Sequence, residues 1–361
     1  MHNITSPMTK RTPLYHEHIA AAAKMVSFAG WHMPIHYGSQ LKEHHQVRRD
    51  AGLFDVSHMT VVDLGGERVG QFLRYLLAND VGGMKKPGKA LYSCMLDEHG
   101  GVIDDLIVYF MDDDWFRMVV NAATRDKDLA WIRKQAAPFA VAVRAPDDLA
   151  VLAVQGPNAR EKAHRALGDD IAPAEELGRF FAVQCGPLFV ARTGYTGEDG
   201  YEIILPGDRA SALWRTLTEA GIVPIGFGAR DTLRLEAGMN LYGQDMTEDT
   251  TPLESGLGWT VAFDPPERDF IGRAALQAQR DRTRYKRIGL VLEGNGVLRN
   301  HQKVLSPMDD SLEGEITSGG FSPILEKGIA LARVPVAMKE RCVVENRGKR
   351  LPAKIVRPPF V

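Results

Sequence analysis

Ala90-Leu91-Tyr92-Ser93-Cys94-Met95-Leu96-Asp97-Glu98-His99-Gly100-Gly101-Val102-Ile103-Asp104-Asp105-Leu106-Ile107-Val108-Tyr109-Phe110 reads as a strand, a turn and a second strand. Apolar, β-branched and aromatic residues fill both arms, and Asp97 to Gly101 supplies the turn chemistry between them. Upstream, Met59 to Leu64 alternates like a strand. Val69, Phe72, Leu73, Leu76 and Leu77 then recur at the spacing of a helical apolar stripe. Downstream, Asp112-Asp113-Asp114 turns the chain into a strand at Trp115 to Val120, and a helix from Arg125 to Ala136 closes the unit.

The same order recurs. Leu149 to Val154 is strand-like, Gly156-Pro157 opens a helix through Ala166, and Phe180 to Gln184 and Leu188 to Thr193 follow as strands. The Gly194–Gly200 loop leads into a strand at Tyr201 to Leu205 and a helix at Ala210 to Ala220. Two copies of one pattern imply a duplicated α+β core. A helix around Arg230 to Gly238 precedes an irregular stretch through Pro265-Pro266. From Lys286 onward short strands at Ile288 to Leu292, Val343-Val344 and Ala353 to Val356 lie among glycine and proline turns, the texture of a small β-barrel or sandwich. The segment ahead of Met59 reads as polar.

Lys plus Arg number 44 and Asp plus Glu 46 in 361 residues, a formal net charge of −2. That balance argues against a broadly basic nucleic-acid binder and gives no pull toward anionic membranes. Cys94, Cys185 and Cys342 lie far apart without C-x-x-C spacing, which excludes a disulfide framework and a cysteine zinc cluster. No apolar run approaches the ~20 residues that span a bilayer. Met1 to Tyr15 shows neither an apolar signal core nor an arginine-rich transit pattern. A cytoplasmic protein without metal is the expectation.

Histidine spacing suggests little: Pro34 separates His32 from His36, and His44 and His45 diverge by about 100° on a helix. Gly226-Phe227-Gly228 begins like a dinucleotide fingerprint but lacks its third glycine, and neither a P-loop nor a nucleophile elbow is present. The Asp104-Asp105 pair is more informative. Alternation sends one carboxylate to each face of a strand whose faces are otherwise apolar. Either the pair caps the nearby turn and stays wet, or one carboxylate is held in a pocket to accept an N–H or to stabilise a cation. Spacing does not choose between Asp104 and Asp105. Glu202, beside an apolar strand after a loop with three glycines, is placed to accept a planar pair of N–H groups, or else it is solvated. Arg230 serves either a ligand carboxylate or helix salt bridges with its neighbours.

Taken together, Phe54-Asp55-Val56-Ser57-His58-Met59, Gly100 to Val108, Val154-Gln155-Gly156-Pro157, Gly194 to Glu202 and Gly228 to Gly238 resemble the aminomethyltransferase (T-protein) family of the glycine cleavage system. The likeness runs from Thr12-Pro13-Leu14-Tyr15 to Pro359-Phe360-Val361. It implies two α+β domains and a C-terminal β-barrel in a cloverleaf: 1–55 with 145–245, then 56–144 carrying Asp105, a connecting segment 246–285, and the barrel 286–361. It also implies tetrahydrofolate as co-substrate and lipoate supplied by the H-protein partner, in functional association with the glycine decarboxylase (P) and dihydrolipoyl dehydrogenase (L) components. The products would be 5,10-methylenetetrahydrofolate, ammonia and dihydrolipoyl H-protein. By the same resemblance Asp105 is the catalytic carboxylate, Glu202 binds the pterin edge, and Arg230, Tyr92, Tyr195, Val119, Asn121 and Met59 line the folate cavity. Two related classes fit less well. A flavin-linked demethylation module would bring a dinucleotide fingerprint, and the folate-binding paralogue of iron–sulfur assembly has a K-G-C-Y-x-G-Q-E signature where Gly238 to Asp245 differs.

Overall fold

The computed structural model describes residues 9–309 and 311–361; the first eight residues of the stretch read for targeting signals lie outside it. In chain order the elements begin with α1 (Tyr15–Ala20), β1 (Lys24–Phe28), β2 (Trp31–His36), α2 (Gln40–Arg49) and β3 (Gly52–Asp55). The first expected copy follows as β4 (Thr60–Gly65), α3 (Val69–Leu76), β5 (Ala90–Leu96), β6 (Val102–Asp112), β7 (Trp115–Val120) and α4 (Arg125–Ala136), with β8 (Ala142–Arg144) after it. The second is β9 (Leu149–Gln155), α5 (Ala159–Leu167), β10 (Ala182–Cys185), β11 (Leu188–Ala191), β12 (Gly200–Pro206) and α6 (Ala210–Glu219), then β13 (Val223–Pro224). The chain continues through α7 (Phe227–Glu236), α8 (Arg273–Gln279), β14 (Tyr285–Leu292), β15 (Lys303–Leu305), β16 (Glu313–Ser322), β17 (Lys327–Pro335), β18 (Arg341–Asn346) and β19 (Lys349–Val356).

The duplication is visible in the topology. One sheet has the order β5-β6-β7-β4-β8 and the other β10-β11-β12-β9-β3-β13. In each, the opening strand of the copy lies beside its fourth, and the third and second follow outward. A helix follows the first and fourth strands in both. The six-stranded sheet differs by admitting β3 between β9 and β13. These sheets belong to two units: one runs through Thr60 and includes Pro146–Gly194 and Glu198–Asp231, the other holds Val61–Ala145, Tyr195–Gly197 and Thr232–Val361.

In the first unit, Leu152, Val154, Val190 and Ile203 pack with Ala159, Ala163, Leu213, Trp214 and Leu217 of α5 and α6. The N-terminal residues, which sequence reading left as a polar segment, contribute a hairpin, two helices and the interior strand β3, one place in from the sheet edge. Asp55 at the end of β3 fastens them: its buried carboxylate accepts from Thr12 Oγ1 at 2.6 Å and pairs with His18 Nε2 at 2.8 Å. The Tyr37 hydroxyl meets the other His18 nitrogen at 2.8 Å.

In the second unit, one face of the sheet packs Leu106, Val108, Met118 and Val120 against Phe72, Leu73 and Leu76 of α3 and Leu129 and Ile132 of α4. On the opposite side Cys94, Leu96 and Val102 are covered by Met246, Leu257, Val261, Phe270 and Leu276. The stretch expected to be irregular through Pro265-Pro266 is therefore core-forming, and the rest of the connecting segment 246–285 includes α8. Its Arg268 guanidinium lends it order, donating to the backbone carbonyls of Arg74, Leu77, Ala78, Asn79 and Ala262. The C-terminal strands close into a barrel in the order β14-β17-β16-β15-β18-β19. Ile288, Leu290, Val304, Ile316, Ala332 and Val344 are among the residues that fill it. Among the described residues no helix is long and apolar enough to cross a membrane.

Candidate functional site

Register sorts the aspartate pair. Asp105 pairs with Cys94, and Ile107 pairs with Tyr92 on one side and Val119 on the other. Paired residues share a face and alternate residues return to it. Tyr92, Cys94, Asp105, Ile107 and Val119 therefore look one way, while Asp104, Leu106 and Val108 look toward the helices. Asp104 is fully buried, whereas Asp105 is half-buried. Neither caps the turn: Asp97 does that, its Oδ1 accepting from the N–H groups of His99 at 2.8 Å and Gly101 at 2.9 Å.

Asn121, just past β7, bridges the two acids. Its side-chain amide donates to Asp105 Oδ1 and Asp104 Oδ1, both at 2.9 Å, and its backbone N–H donates to Asp104 Oδ2 at 3.0 Å. The second Asp105 oxygen accepts from the Tyr92 hydroxyl at 2.8 Å. Burial and then the adjacent Asp104 carboxylate push the Asp105 pKa up to about 7. Burial and the same Asp105 charge raise the Tyr92 phenol well above its usual range, so it stays a donor. Tyr92 stacks on Trp259, which is 68% exposed, with ring centres 5.7 Å apart. Tyr195 lies close enough to add to the Tyr92 shift, and its hydroxyl donates to the Asn240 carbonyl. The Asn240 side chain in turn accepts from Arg287 at 2.6 Å. Trp259, Asn240 and Arg287 were missed in the sequence; a tryptophan in a glycine-flanked irregular stretch was the one available signal.

In the first unit Glu202 sits on β12 opposite Ala153 and Ala191. The Thr193 hydroxyl donates to its Oε2 at 2.6 Å, and among the described residues nothing else donates to that carboxylate. Burial raises its pKa, with the Thr193 bond and the Arg230 charge acting against the shift. Arg230 rises from the first turn of α7, its guanidinium 5.5 Å from the Phe227 ring centre. His58 packs on that ring at 5.0 Å, and burial together with Arg230 pushes its pKa down to about 3, so the imidazole is neutral. Met59 is half-buried in the turn beside it, its N–H donating to the Val56 carbonyl at 3.0 Å. The acids of the preceding glycine loop are partly exposed and ion-paired. Glu198 pairs with Arg48 at 2.8 Å, and Asp199 accepts both Arg192 Nε at 2.9 Å and Nη2 at 2.7 Å.

Two constellations result: Asp105, Tyr92, Asn121, Val119 and Tyr195 in one unit, and Glu202, Arg230 and Met59 in the other. Each offers a half-buried carboxylate suited to accept N–H donors. The three cysteines Cys94, Cys185 and Cys342 are buried, and burial holds their thiols protonated, so none of them is an activated nucleophile.

Comparison with known proteins gives the family of the chain. The pattern of the GCVT N-terminal domain matches residues 14–265, and that of the glycine cleavage T-protein C-terminal barrel domain matches residues 286–361. The crystal structure of glycine cleavage system aminomethyltransferase T from Bartonella henselae is 37% identical, with a TM-score of 0.91 over 98% of each chain. A heterotetrameric sarcosine oxidase from Corynebacterium is 18% identical over 58% of this chain and 94% of that chain, and its TM-score of 0.38 carries no weight. By both its domain patterns and its near-complete structural counterpart, this chain belongs to the glycine cleavage T-protein family, the aminomethyltransferases of the glycine cleavage system.

Proposed function

We propose that the protein moves the methylene of an aminomethyl group, carried on the lipoyl arm of H-protein, to tetrahydrofolate. The products are 5,10-methylenetetrahydrofolate, ammonia and dihydrolipoyl H-protein. The balance is closed: carbon loses its bonds to sulfur and to the departing nitrogen and gains bonds to N5 and N10. The two folate N–H protons end on sulfur and on ammonia. Tetrahydrofolate supplies the nucleophile, so no covalent residue is required of the protein.

The observation that carries this reading is Asp105, a half-buried carboxylate held between Tyr92 and Asn121 with a pKa of about 7. Ionised, it accepts an N–H and stabilises positive charge as it develops on the transferring carbon. The Tyr92 and Asn121 donors fix both oxygens, so little reorganisation is needed during transfer. Glu202 has an oxygen left for the N–H edge of a pterin, with Arg230 offsetting its charge. Val119, Met59 and Tyr195 are read as walls of the folate cavity.

In this reading the partners are lipoylated H-protein and, functionally, the P and L components, with a cytoplasmic setting. The division into 1–55 with 145–245, 56–144, and 286–361 after a connecting segment belongs to the same proposal. The decisive experiment is tetrahydrofolate-dependent ammonia release from aminomethyl-loaded H-protein. Release no faster than with H-protein and folate alone overturns it.

A further inference from the structure

Behind Asp105 lies a third acid that the reaction as described does not use. Asp128, on α4, is fully buried and sealed from solvent at both carboxyl oxygens. Among the described residues no N–H or hydroxyl meets hydrogen-bond geometry at either oxygen, although the Thr124 hydroxyl is near enough to lower the Asp128 pKa. The nearby Thr124 hydroxyl donates instead to the Asn121 carbonyl at 3.1 Å. The polar group Asp128 faces is the Asp104 carboxyl on β6, at hydrogen-bonding reach.

Two buried carboxylates in contact cannot both ionise, so the pair holds a proton. Asp104 already accepts the backbone and side-chain N–H groups of Asn121, which favour its charge. Asp128 has no comparable donor, so the proton resides there.

We propose that Asp128 is a positioning residue: as the neutral acid it donates to Asp104, keeps Asp104 ionised, and thereby fixes the Asn121 amide that orients Asp105. This deepens the functional reading above and rests on it. The charged and titratable surroundings fit. Facing Asp105 are Asp104, Tyr92 and the Cys94 thiol, and facing Asp104 are Asp128 and, more distantly, Tyr242. Lys127, a cation whose charge acts on Asp128, is occupied by the Tyr242 hydroxyl at 2.8 Å and Glu248 at 2.9 Å. Burial, then the charge and hydrogen bond of Asp104, push the Asp128 pKa up to about 9.

The test compares Asp128→Asn, which keeps a neutral donor, with Asp128→Leu, which removes it. Asp128→Asn should turn over within about two-fold of wild type, with the acidic limb of its kcat profile unmoved. Asp128→Leu should lose roughly ten-fold in kcat with the folate KM little changed. Its acidic limb should move to lower pH, because Asp104 then takes the proton and no longer repels charge on Asp105. The second measurement is carbon NMR of protein labelled at the aspartate carboxyls, with Asp128 assigned by its loss in Asp128→Asn. The Asp128 signal should remain that of the protonated acid above neutral pH. An ionised Asp128 at neutral pH overturns the proposal, as does an Asp128→Asn variant as impaired as Asp128→Leu. Should Asp128→Leu not fold, the Asn variant and the NMR titration decide alone. An inert wild-type enzyme, or an Asp105→Asn variant with full turnover, instead defeats the functional reading, and the NMR result still judges Asp128.

Discussion

Asp105 keeps its proton to about pH 7 in the folded chain, whereas an unfolded chain releases it near the ordinary carboxylate value of about 4. Between those values the unfolded state binds fewer protons, so this residue lowers stability as pH rises through the window. Asparagine carries no such penalty. Asp105→Asn should therefore melt a few degrees above wild type at mildly alkaline pH. Its turnover should nonetheless fall by roughly 10²–10³-fold, with tetrahydrofolate affinity nearly unchanged. Thermal melts and single-turnover rates on one preparation check both halves, and turnover within a few-fold of wild type removes Asp105 from the chemistry. In the wild-type enzyme the rate should climb with pH through a midpoint near 7 as Asp105 ionises, then level off; a flat profile across neutrality contradicts that role. Glu202 should behave differently. Glu202→Ala should weaken tetrahydrofolate binding by about ten-fold, the worth of a charge-assisted pair, and leave the rate at saturation largely intact. Calorimetric titration reads this directly, and unchanged affinity ends the pterin assignment. Sequence alone offered both acids as candidates but left Asp104 and Asp105 equivalent. They separate only through register and through the helices over one face of the sheet, which are tertiary facts.

β6 is the element on which the site depends, and its position is set by the turn that feeds it. Gly101 marks the constraint: a Cβ there would lie 2.0 Å from the Glu248 carbonyl oxygen and 2.9 Å from Asp97 Oδ2. The nearest of these, the Glu248 carbonyl, is backbone and leaves little room to yield. Gly101→Ala should cost about 2–4 kcal/mol in urea denaturation and lower turnover by displacing Asp104 and Asp105; a loss within experimental error of zero shows the turn to be adaptable. β5, β6, β7 and α4 were legible to within a residue or two because alternation, turn residues and helical spacing agree there. β3 was not legible. It is four residues long, begins with a glycine and is buried on both faces, so it has neither the length nor the alternation that marks a strand. β16 was hidden differently: Glu313, Gly314, Glu315, Ser318, Gly319 and Gly320 make it look like a loop, and barrel closure rather than propensity makes it a strand.

At the scale of the molecule, duplication could be read from sequence because strands and helices succeed one another along the chain in the same order in both copies. The attachment of the barrel could not, because it runs through a few polar residues far apart in the chain. Within the second unit, Arg234 at the end of α7 is buried against Asp245 at 3.1 Å. It also donates to Ser318 on β16 at 3.0 Å and to the Met239 carbonyl at 3.2 Å. Asp245 accepts in turn from Ser318 at 2.7 Å, from Thr317 and from the Leu241 N–H at 2.9 Å. Two residues beyond Arg234, Glu236 accepts from Ser322 and from the Ile324 N–H, so α7 is fixed to β16 and its following turn at two levels. Only the fold makes Arg234 a buried charge. Removing one partner strands a charge away from water, so Asp245→Ala should cost about 3–5 kcal/mol. Removing both should cost less, because an apolar pair of similar volume dispenses with the desolvation penalty as well as the attraction. Urea denaturation of Asp245→Ala beside the double variant Arg234→Met with Asp245→Leu separates these cases. If the single variant loses under about 1 kcal/mol, the pair is no better than a surface salt bridge, and the Glu236 hydrogen bonds with the apolar contacts of Leu235 with Ile329 and Leu331 hold the barrel to α7. If the double variant is the weaker of the two, the hydrogen bonds of Thr317 and Ser318, rather than the charge pairing, are what the junction depends on.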